Sequence, residues 1–336
     1  MNDAIIKVNN ISKEYLVLQR RDEKSNALSE FLFPKRQSIK AVNNISFSVK
    51  RGEAVGYIGV NGAGKSTTIK MLSGILVPTK GTIEVLGLMP YKERQKNALN
   101  IGVLFGQRSV MWWDVPVRET FRLLKRIYAI DQHIYEENLS LFDDVLEIKP
   151  LLDTPTRQLS LGQRTRVNLA AVFLHNPKVI YLDEPTIGLD ILVKQRVRNF
   201  LKFMVAERRC SVILATHDLR DIEDICSRVI MIDKGQIIYD GRTDEITRFL
   251  GNTRTLIVQF SAAPTLIETE LARMGSAYPP YEIDNNVVRF QVNPVEHSMT
   301  DLVGHFLNNG NVADLSIDEP DLERVVQKLY QGRKIS

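Results

Sequence analysis

The glycine-rich run GVNGAGKST, residues Gly59 to Thr67, constrains the fold of this chain more than any other stretch. It follows an apolar run, EAVGYI, that reads as a strand, and it precedes TTIKMLSGIL, in which apolar residues recur at helical spacing. Glycines let backbone N–H groups turn inward around phosphate oxygens, and the following helix adds its positive N-terminus. The sequence therefore predicts a phosphate-binding loop, or P-loop, between a strand and a helix.

Two side chains of this loop carry the predicted chemistry. Lys65 can reach the β and γ phosphates of a nucleotide, and the Ser66 hydroxyl can ligate Mg²⁺. The remaining predicted nucleotide-binding residues of the loop are Gly59, Asn61, Gly62, Ala63, Gly64 and Thr67.

The order of patterns along the chain predicts an α/β domain. Short β-branched runs alternate with helical patterns from Ala4 to about Gly241, which is typical of a mostly parallel sheet. The runs EAVGYIG, KVIYLDE and CSVILATH predict buried central strands. Residues 110–175 are mostly helical in pattern, so we expect a helical subdomain inserted into a nucleotide-binding domain that spans residues 1–250.

A different pattern begins after Leu250. Strand and helix patterns alternate from TLIVQFS to PDLERVVQKLY, with a possible extra strand near Tyr281, and resemble a split βαβ, ferredoxin-like unit. We therefore expect a small α+β accessory domain over residues 251–336. It carries 7 Lys and Arg against 11 Asp and Glu, whereas residues 1–250 carry 37 against 29. Residues 1–250 are therefore basic. A basic domain suits nucleotides, a membrane face or nucleic acid as binding partners, and the charge alone does not distinguish among them.

Residues 17–39, VLQRRDEKSNALSEFLFPKRQSI, interrupt two successive strand patterns. One interpretation is a surface insertion in a hairpin. The other is an interfacial membrane helix, because Leu28, Phe31 and Leu32 can share one helical face.

Targeting signals and cysteine use indicate the compartment. The start of the chain has no basic region followed by an apolar run, and about eighteen consecutive apolar residues occur nowhere, so we expect neither a signal peptide nor a membrane span. Cys210 and Cys226 lie far from any CxxC spacing. Two buried, reduced thiols in a cytosolic chain are the expected outcome.

Polar residues follow three predicted strands. Asp183 and Glu184 end the apolar strand VIYLD, where a charge is costly unless it has a function. We expect Asp183 to hold the Mg²⁺ shell and Glu184 to orient or deprotonate the attacking water, although such a pair can also be only a helix cap. His217 follows SVILAT and can contact the γ-phosphate and Glu184. Gln107 follows IGVLF and can reach Mg²⁺ or the water, with surface filler as the alternative.

The stretch LSLGQR begins a second helix with phosphate-binding character. Ser160, Gly162 and the helix N-terminus form an anion-binding device, although the chain has only one P-loop. If the helical subdomain stands away from its own nucleotide, this helix would cap the γ-phosphate on a second copy. Two chains would then face each other head to tail around two ATP molecules.

Taken in order, these motifs resemble the nucleotide-binding subunit of an ATP-binding cassette (ABC) transporter over about residues 4–245. The resemblance implies the Walker A loop at Gly59 to Thr67, the Q-loop at Gln107, the signature at Leu159 to Gln163, Walker B at Val179 to Glu184, the D-loop at Ile187 to Asp190, the switch histidine at His217 and an adenine-stacking ring at Tyr15. The usual signature has glycine where Leu161 stands. We expect altered closure at most.

The single nucleotide-binding domain, the GLD form of the D-loop and the acidic tail resemble the ATPase subunits of ABC-2 type exporters. This resemblance implies an ATP hydrolase that uses ATP and Mg²⁺ and dimerises with itself or a closely related subunit. It also implies attachment to the cytoplasmic face of the cell membrane through integral membrane permease subunits, without nucleic acid. Trp112 and Trp113 would contact the membrane subunit, unless they are buried in the helical subdomain.

Two rival functions share these residues. An importer ATPase would use the C-terminal domain for regulation, and a soluble ABC ATPase would act on nucleic acid or ribosomes. The single P-loop and the absence of a sustained heptad pattern in the sequence argue against the soluble ATPase. The resemblance implies that the membrane subunits, which supply the pathway in this family, determine the transported substrate.

Overall fold

The computed structural model of the protein describes residues 4–18, 36–106, 109–248, 254–261, 279, 281–293, 297–309 and 312–318. The chain divides into two compact units, Met1–Gly241 and Arg242–Ser336. Gln107 and residues 19–35 of the predicted insertion lie outside the described residues.

The first unit contains two sheets. Its described strands are β1 (Ala4–Leu18), β2 (Arg36–Lys50), β3 (Ala54–Ile58), β4 (Lys80–Val85), β5 (Ile101–Phe105), β6 (Val179–Asp183), β7 (Ser211–Ala215), β8 (Arg228–Asp233) and β9 (Gln236–Arg242). A six-stranded sheet has the order β5-β6-β7-β3-β8-β9, and its neighbours from β5 to β8 are parallel. In a three-stranded sheet, β1 pairs antiparallel with β2 and β4.

The three strands predicted to be central lie side by side in the large sheet as β6, β7 and β3. Every residue of β3 and β7 is buried, and in β6 only Asp183 is not. A parallel strand covered on both faces needs such a continuous apolar run. Because parallel strands end at the same sheet edge, the P-loop, Glu184 and His217 all follow strand ends on that edge.

Helices connect these strands. They are α1 (Lys65–Leu72), α2 (Arg94–Ala98), α3 (Val117–Ile127), α4 (Gln132–Leu146), α5 (Leu161–Phe173), α6 (Ile191–Ala206) and α7 (Leu219–Ile225). The predicted helical subdomain comprises α3, α4 and α5. Phe200 of α6 packs edge to face on Phe142 of α4 at 5.5 Å and Phe173 of α5 at 4.9 Å between ring centroids. These ring contacts pack the helical subdomain against α6.

The strands that flank the predicted insertion form one antiparallel hairpin. Their pairing continues through Val17 opposite Gln37 to Leu18 opposite Arg36. The predicted bounds of 17 and 39 were therefore wrong at both ends, because residues 17–18 and 36–39 belong to the strands. A run of polar residues such as Arg36–Ser38 looks like a loop in the sequence but pairs here through its backbone.

The described strands and the helix between the last two strands of the second unit appear in the predicted order. Its described elements are α8 (Thr243–Arg248), β10 (Arg254–Phe260), β11 (Tyr281–Asp284), β12 (Val287–Val292), α9 (Met299–Asn309) and β13 (Val312–Asp318). The sheet order is β11-β12-β10-β13 with antiparallel neighbours, and β11 is the possible extra strand. Alternate residues of β10 and β12 form a core with Leu302 and Phe306 of α9. The predicted helices at 264–274 and 320–330 lie outside the described residues.

Candidate nucleotide-binding site

The P-loop wraps around the ammonium group of Lys65. This buried side chain donates to the carbonyl of Gly59 at 2.5 Å and to that of Val60 at 3.3 Å. Gly64 precedes α1 with φ +111°, and a Cβ there would lie 2.5 Å from a carbonyl oxygen, so only glycine fits. Burial lowers the pKa of Lys65, opposed by the nearby carboxylates of Glu184 and Asp183. Those carboxylates favour the charged form that phosphate binding needs.

Ser66 and Asp183 bring two oxygen ligands together from different motifs. The Ser66 hydroxyl donates to Asp183 Oδ2 at 2.8 Å. The Gly106 backbone N–H donates to the Asp183 carbonyl at 2.8 Å. Gly106, which precedes Gln107 in the sequence, therefore lies next to Asp183. A hydroxyl and one carboxylate are a donor set that suits Mg²⁺, which commonly completes its shell with phosphate and water.

Glu184 lies beside His217 at the ends of neighbouring strands, as predicted. Its Oε2 atom is 2.8 Å from Nδ1 of His217 and accepts a 3.2 Å hydrogen bond from the Thr216 hydroxyl. The backbone N–H of Glu184 donates to the Ala215 carbonyl at 2.7 Å. Its φ of +54° is left-handed, which is unusual for a residue with a side chain. This turn directs the chain away from β6 immediately after Asp183.

The signature sequence begins α5 where the sequence predicted. Ser160 is the N-cap: its hydroxyl accepts from the Gln163 N–H at 3.2 Å, while the Gln163 side chain accepts from the Ser160 N–H at 2.9 Å. This capping box anchors the first turn. Gly162 lies against α6, since a Cβ there would be 3.2 Å from a methyl of Val193. This close approach joins the signature to the helix after the D-loop.

The D-loop leads into α6 through Asp190. The Asp190 carboxylate caps the helix by accepting from the Val193 N–H at 2.9 Å. Ile191 and Leu192, which follow, are 84% and 75% exposed. Adjacent exposed apolar side chains of this size are characteristic of an interaction surface.

Tyr15, the predicted adenine-stacking residue, is exposed on β1. It pairs with Ile39 of β2, and the Lys13 ammonium lies 5.5 Å from its ring centroid. An exposed ring is suited to stacking, but none of these contacts joins Tyr15 to the P-loop. Within the P-loop, Asn61 and Gly62 are exposed and Ala63 is buried.

The structure decides two further expectations. Trp112 and Trp113 are 58% and 51% exposed, so their burial is ruled out, and the Arg164 guanidinium lies 5.0 Å from the Trp113 ring centroid. Cys210 and Cys226 are both buried, reduced thiols, as expected. Burial raises the pKa of Cys210 to about 12, which makes it unreactive.

Sequence reasoning missed two residues near the site. Thr216 immediately precedes His217, and its position before that histidine was the only available signal for its contact with Glu184. Asn168 of α5 is buried, and its side-chain oxygen accepts from the Ser109 hydroxyl at 3.0 Å and the Val110 N–H at 2.9 Å. It thereby ties the segment that follows Gln107 to the signature helix.

A P-loop, a serine–aspartate pair and a glutamate held beside a histidine at one sheet edge define a P-loop nucleotide-binding protein. The sequence model of the ABC transporter family matches residues 42–187. Within the part of the chain that the structure describes, no helix is both long enough and apolar enough to cross a membrane.

Curated relatives extend this match. The ABC transporter ATP-binding protein NatA of Bacillus subtilis is 30% identical over 212 residues, 63% of this chain and 86% of NatA. The bacitracin transport ATP-binding protein BcrA of Bacillus licheniformis is 30% identical over 303 residues, 89% of this chain and 95% of BcrA. The methionine import ATP-binding protein MetN of Carboxydothermus hydrogenoformans is 30% identical over 249 residues, 72% of this chain and 72% of MetN. The chain belongs to the ABC transporter ATP-binding proteins.

A solved structure shows the same fold. The ATP-binding cassette MJ0796, in a dimeric post-hydrolysis state bound to ADP and Pi, has a TM-score of 0.58 and 24% identity. The likeness covers 70% of this chain and 98% of that one.

Proposed function

We propose that the chain hydrolyses ATP as the motor subunit of an ABC-2 type exporter. The observation that carries hydrolysis is the pairing of Glu184 with His217 and Thr216 on the sheet edge that also holds Ser66 and Asp183. A general base beside a magnesium-binding pair and a P-loop is the arrangement that phosphoryl transfer to water requires.

Each residue of the site has one role in this proposal. Lys65 and the N–H groups of the P-loop bind the β and γ phosphates of ATP. Ser66 and Asp183, with Gln107 as the sequence predicts, would hold Mg²⁺, which would neutralise charge on the phosphates. Glu184 orients the attacking water and accepts its proton, and His217 holds the Glu184 carboxylate at the γ-phosphate.

The site is completed by a second copy or by a closely related ATPase subunit. Ser160 is exposed at the N-terminus of α5, where an anion is favoured, and the chain has only one P-loop. Ser160, Gly162 and Gln163 of one subunit would meet the γ-phosphate bound by the other, with Asp190 and the exposed Ile191 and Leu192 at the shared surface. The dimeric state of the MJ0796 cassette is consistent with this arrangement.

Integral membrane permease subunits are the proposed partners, and they hold the chain at the cytoplasmic face of the cell membrane. The exposed Trp112 and Trp113 supply an apolar surface for them, because aromatic residues are enriched at interaction surfaces. Export is favoured by the resemblance of the D-loop and the acidic tail to ABC-2 type exporter ATPases, and the similarity to the bacitracin transport protein BcrA covers 89% of this chain, so it extends into the C-terminal unit. An importer ATPase with a regulatory C-terminal domain is the second candidate, supported by the similarity to MetN.

Hydrolysis is tested by substitution of Glu184. Glu184→Gln keeps the shape of the side chain and removes the base, so ATP turnover should fall by at least about 100-fold while ATP binding persists. The closed dimer should accumulate on gel filtration with ATP. Turnover like that of the wild type would remove Glu184 from the mechanism.

ATP binding is tested by substitution of Lys65. Lys65→Ala should abolish ATP binding, and near-normal affinity would contradict the P-loop assignment.

Sharing of the site between subunits is tested by mixing two inactive variants. Chains carrying Ser160→Arg lack the signature contact, and chains carrying Lys65→Ala lack the P-loop contact. Head-to-tail pairing leaves one intact composite site in a mixed dimer, so ATPase activity should recover in part. No recovery under confirmed mixing would argue against the shared site.

The partner is tested by purifying the tagged chain from detergent-solubilised membranes of its native cell. A stoichiometric polytopic membrane protein without a solute-binding protein supports export. Co-purification of a solute-binding protein supports the importer instead, and elution of the chain alone or with nucleic acid contradicts both.

A further inference from the structure

We propose that the two inner rungs of an ion-pair ladder between α6 and α7 position Glu184 and His217 for hydrolysis, with Thr186 and Asp221 as positioning residues. The proposal rests on the ATP hydrolysis proposed for this site. It concerns residues that lie outside the motifs and touch neither nucleotide nor metal.

The ladder consists of three rungs. Cations recur every four residues along one side of α6, and aspartates recur every three residues from the cap of α7 onward. The rungs are Lys194 with Asp218 at 2.6 Å, Arg198 with Asp221 at 2.5 Å and Lys202 with Asp224 at 3.1 Å. Arg198 also reaches Asp224 at 3.2 Å. The two helices are therefore joined by charge along most of the length of α7.

The middle rung is buried and reaches the catalytic turn. The side chain of Asp221 is 0% exposed and that of Arg198 is 12% exposed. The second carboxylate oxygen of Asp221 accepts a hydrogen bond from the hydroxyl of buried Thr186, two residues after Glu184. A buried ion pair adds little stability compared with apolar packing of the same volume. Its value here is that it fixes the direction in which the chain leaves Glu184.

The first rung reaches the turn that carries His217. Asp218 follows this histidine, caps α7 and bonds to Lys194. Its backbone N–H donates to the Thr216 hydroxyl at 3.0 Å, and that hydroxyl donates to Glu184 at 3.2 Å. The first two rungs thus hold both sides of the contact between Glu184 and His217.

Both rungs start from α6, whose N-cap is Asp190 of the D-loop. The D-loop helix, the base and the switch histidine are therefore connected by one set of polar contacts. A displacement of about 1 Å at a reacting group can cost on the order of 100-fold in rate, so loosening a rung should lower turnover without weakening ATP binding.

The decisive comparison is between two substitutions of Thr186. Thr186→Val has nearly the same shape but lacks the hydroxyl, so it breaks the link to Asp221 and leaves the Arg198 ion pair in place. Thr186→Ser keeps the hydroxyl. With the purified full chain, Thr186→Val should lower kcat by about tenfold or more, with the KM for ATP within about twofold, and Thr186→Ser should retain kcat.

Two further variants separate positioning from general stability. Lys194→Gln breaks the first rung without leaving a fully buried charge, and it should lower kcat by about threefold with an unchanged KM. Lys202→Gln removes the same charge from the outer rung, which contacts neither turn, and should leave kcat unchanged. Thermal unfolding of each variant shows whether it is folded at the assay temperature.

Several results would overturn the ladder. It fails if Thr186→Val and Lys194→Gln retain wild-type kcat, or if Thr186→Ser loses as much as Thr186→Val. A parallel loss of ATP affinity and thermal stability in the inner-rung variants would make the ladder structural only. The wild type and Glu184→Gln serve as references: if the wild type has no turnover above Glu184→Gln, the proposed hydrolysis fails, whatever the ladder does.

Discussion

Replacing Glu184 by glycine and by alanine should separate the cost of its backbone conformation from the function of its carboxylate. Its φ of +54° lies in the left-handed region, where an L-residue with a Cβ is disfavoured by roughly 1–2 kcal/mol. Glycine has no such penalty. Both substitutions remove the contacts of the carboxylate with Thr216 and His217, so the comparison between them isolates the backbone.

The expected difference follows from two opposing effects. Glycine relieves the left-handed strain, but its more flexible unfolded chain lowers the free energy of unfolding by about 0.4–1 kcal/mol relative to alanine. The net expectation is that Glu184→Gly is more stable than Glu184→Ala by about 0.8 kcal/mol, or about 2 °C in Tm. Both variants should lose ATP turnover, so the more stable protein is as inactive as the other.

Urea and thermal unfolding, followed by circular dichroism, measure this difference. Asn199, exposed on α6, provides a matched control, because alanine there should be more stable than glycine by about 1 kcal/mol. The sign of the glycine–alanine difference should therefore reverse between the two positions. If Glu184→Ala is at least as stable as Glu184→Gly, the turn after β6 is not left-handed and the reasoning is refuted.

Two other predictions concern stability. Burial lowers the pKa of His175 to about 4, so between about pH 6.5 and 4 only the unfolded chain gains a proton and the free energy of unfolding decreases as pH falls. From about pH 7 to 5 this costs about 2 kcal/mol, which should disappear from the urea-unfolding difference in His175→Gln. Phe200→Ala, between two other phenylalanines, should lower the free energy of unfolding by about 3–5 kcal/mol, and a loss below about 1 kcal/mol would contradict this packing.

The positions of most site residues could be predicted because they depend on local patterns. An apolar run followed by a glycine-rich turn specifies where Lys65 lies, and parallel strands bring their carboxyl ends together. The contact between Glu184 and His217 follows from β6 and β7 being neighbours. The strand order is not a local pattern. It could be approached only through the expectation that continuously apolar strands lie in the middle of the sheet.

Other contacts could not be predicted, because they depend on pairing between distant segments. The spacing of Lys194 and Arg198 predicts one charged side of a helix, but not that a buried aspartate lies opposite. The sequence left the exposure of Trp113 undecided, because an aromatic residue fits a core and a surface equally well. The bounds of the insertion were misjudged because β-pairing is a backbone property that polar side chains do not reveal.

Leu161 shows how an unusual residue fits into the site. A Cβ at Gly188 would lie 3.0 Å from a methyl of Leu161, and Gly188 itself has a φ of +72°. The absence of a side chain in the D-loop therefore provides the space that the leucine of the signature occupies in the same chain. Ser160 remains exposed as the N-cap of α5, with its capping box intact. The substitution of glycine by leucine is thus accommodated within the subunit, and the anion-binding end of the helix is retained.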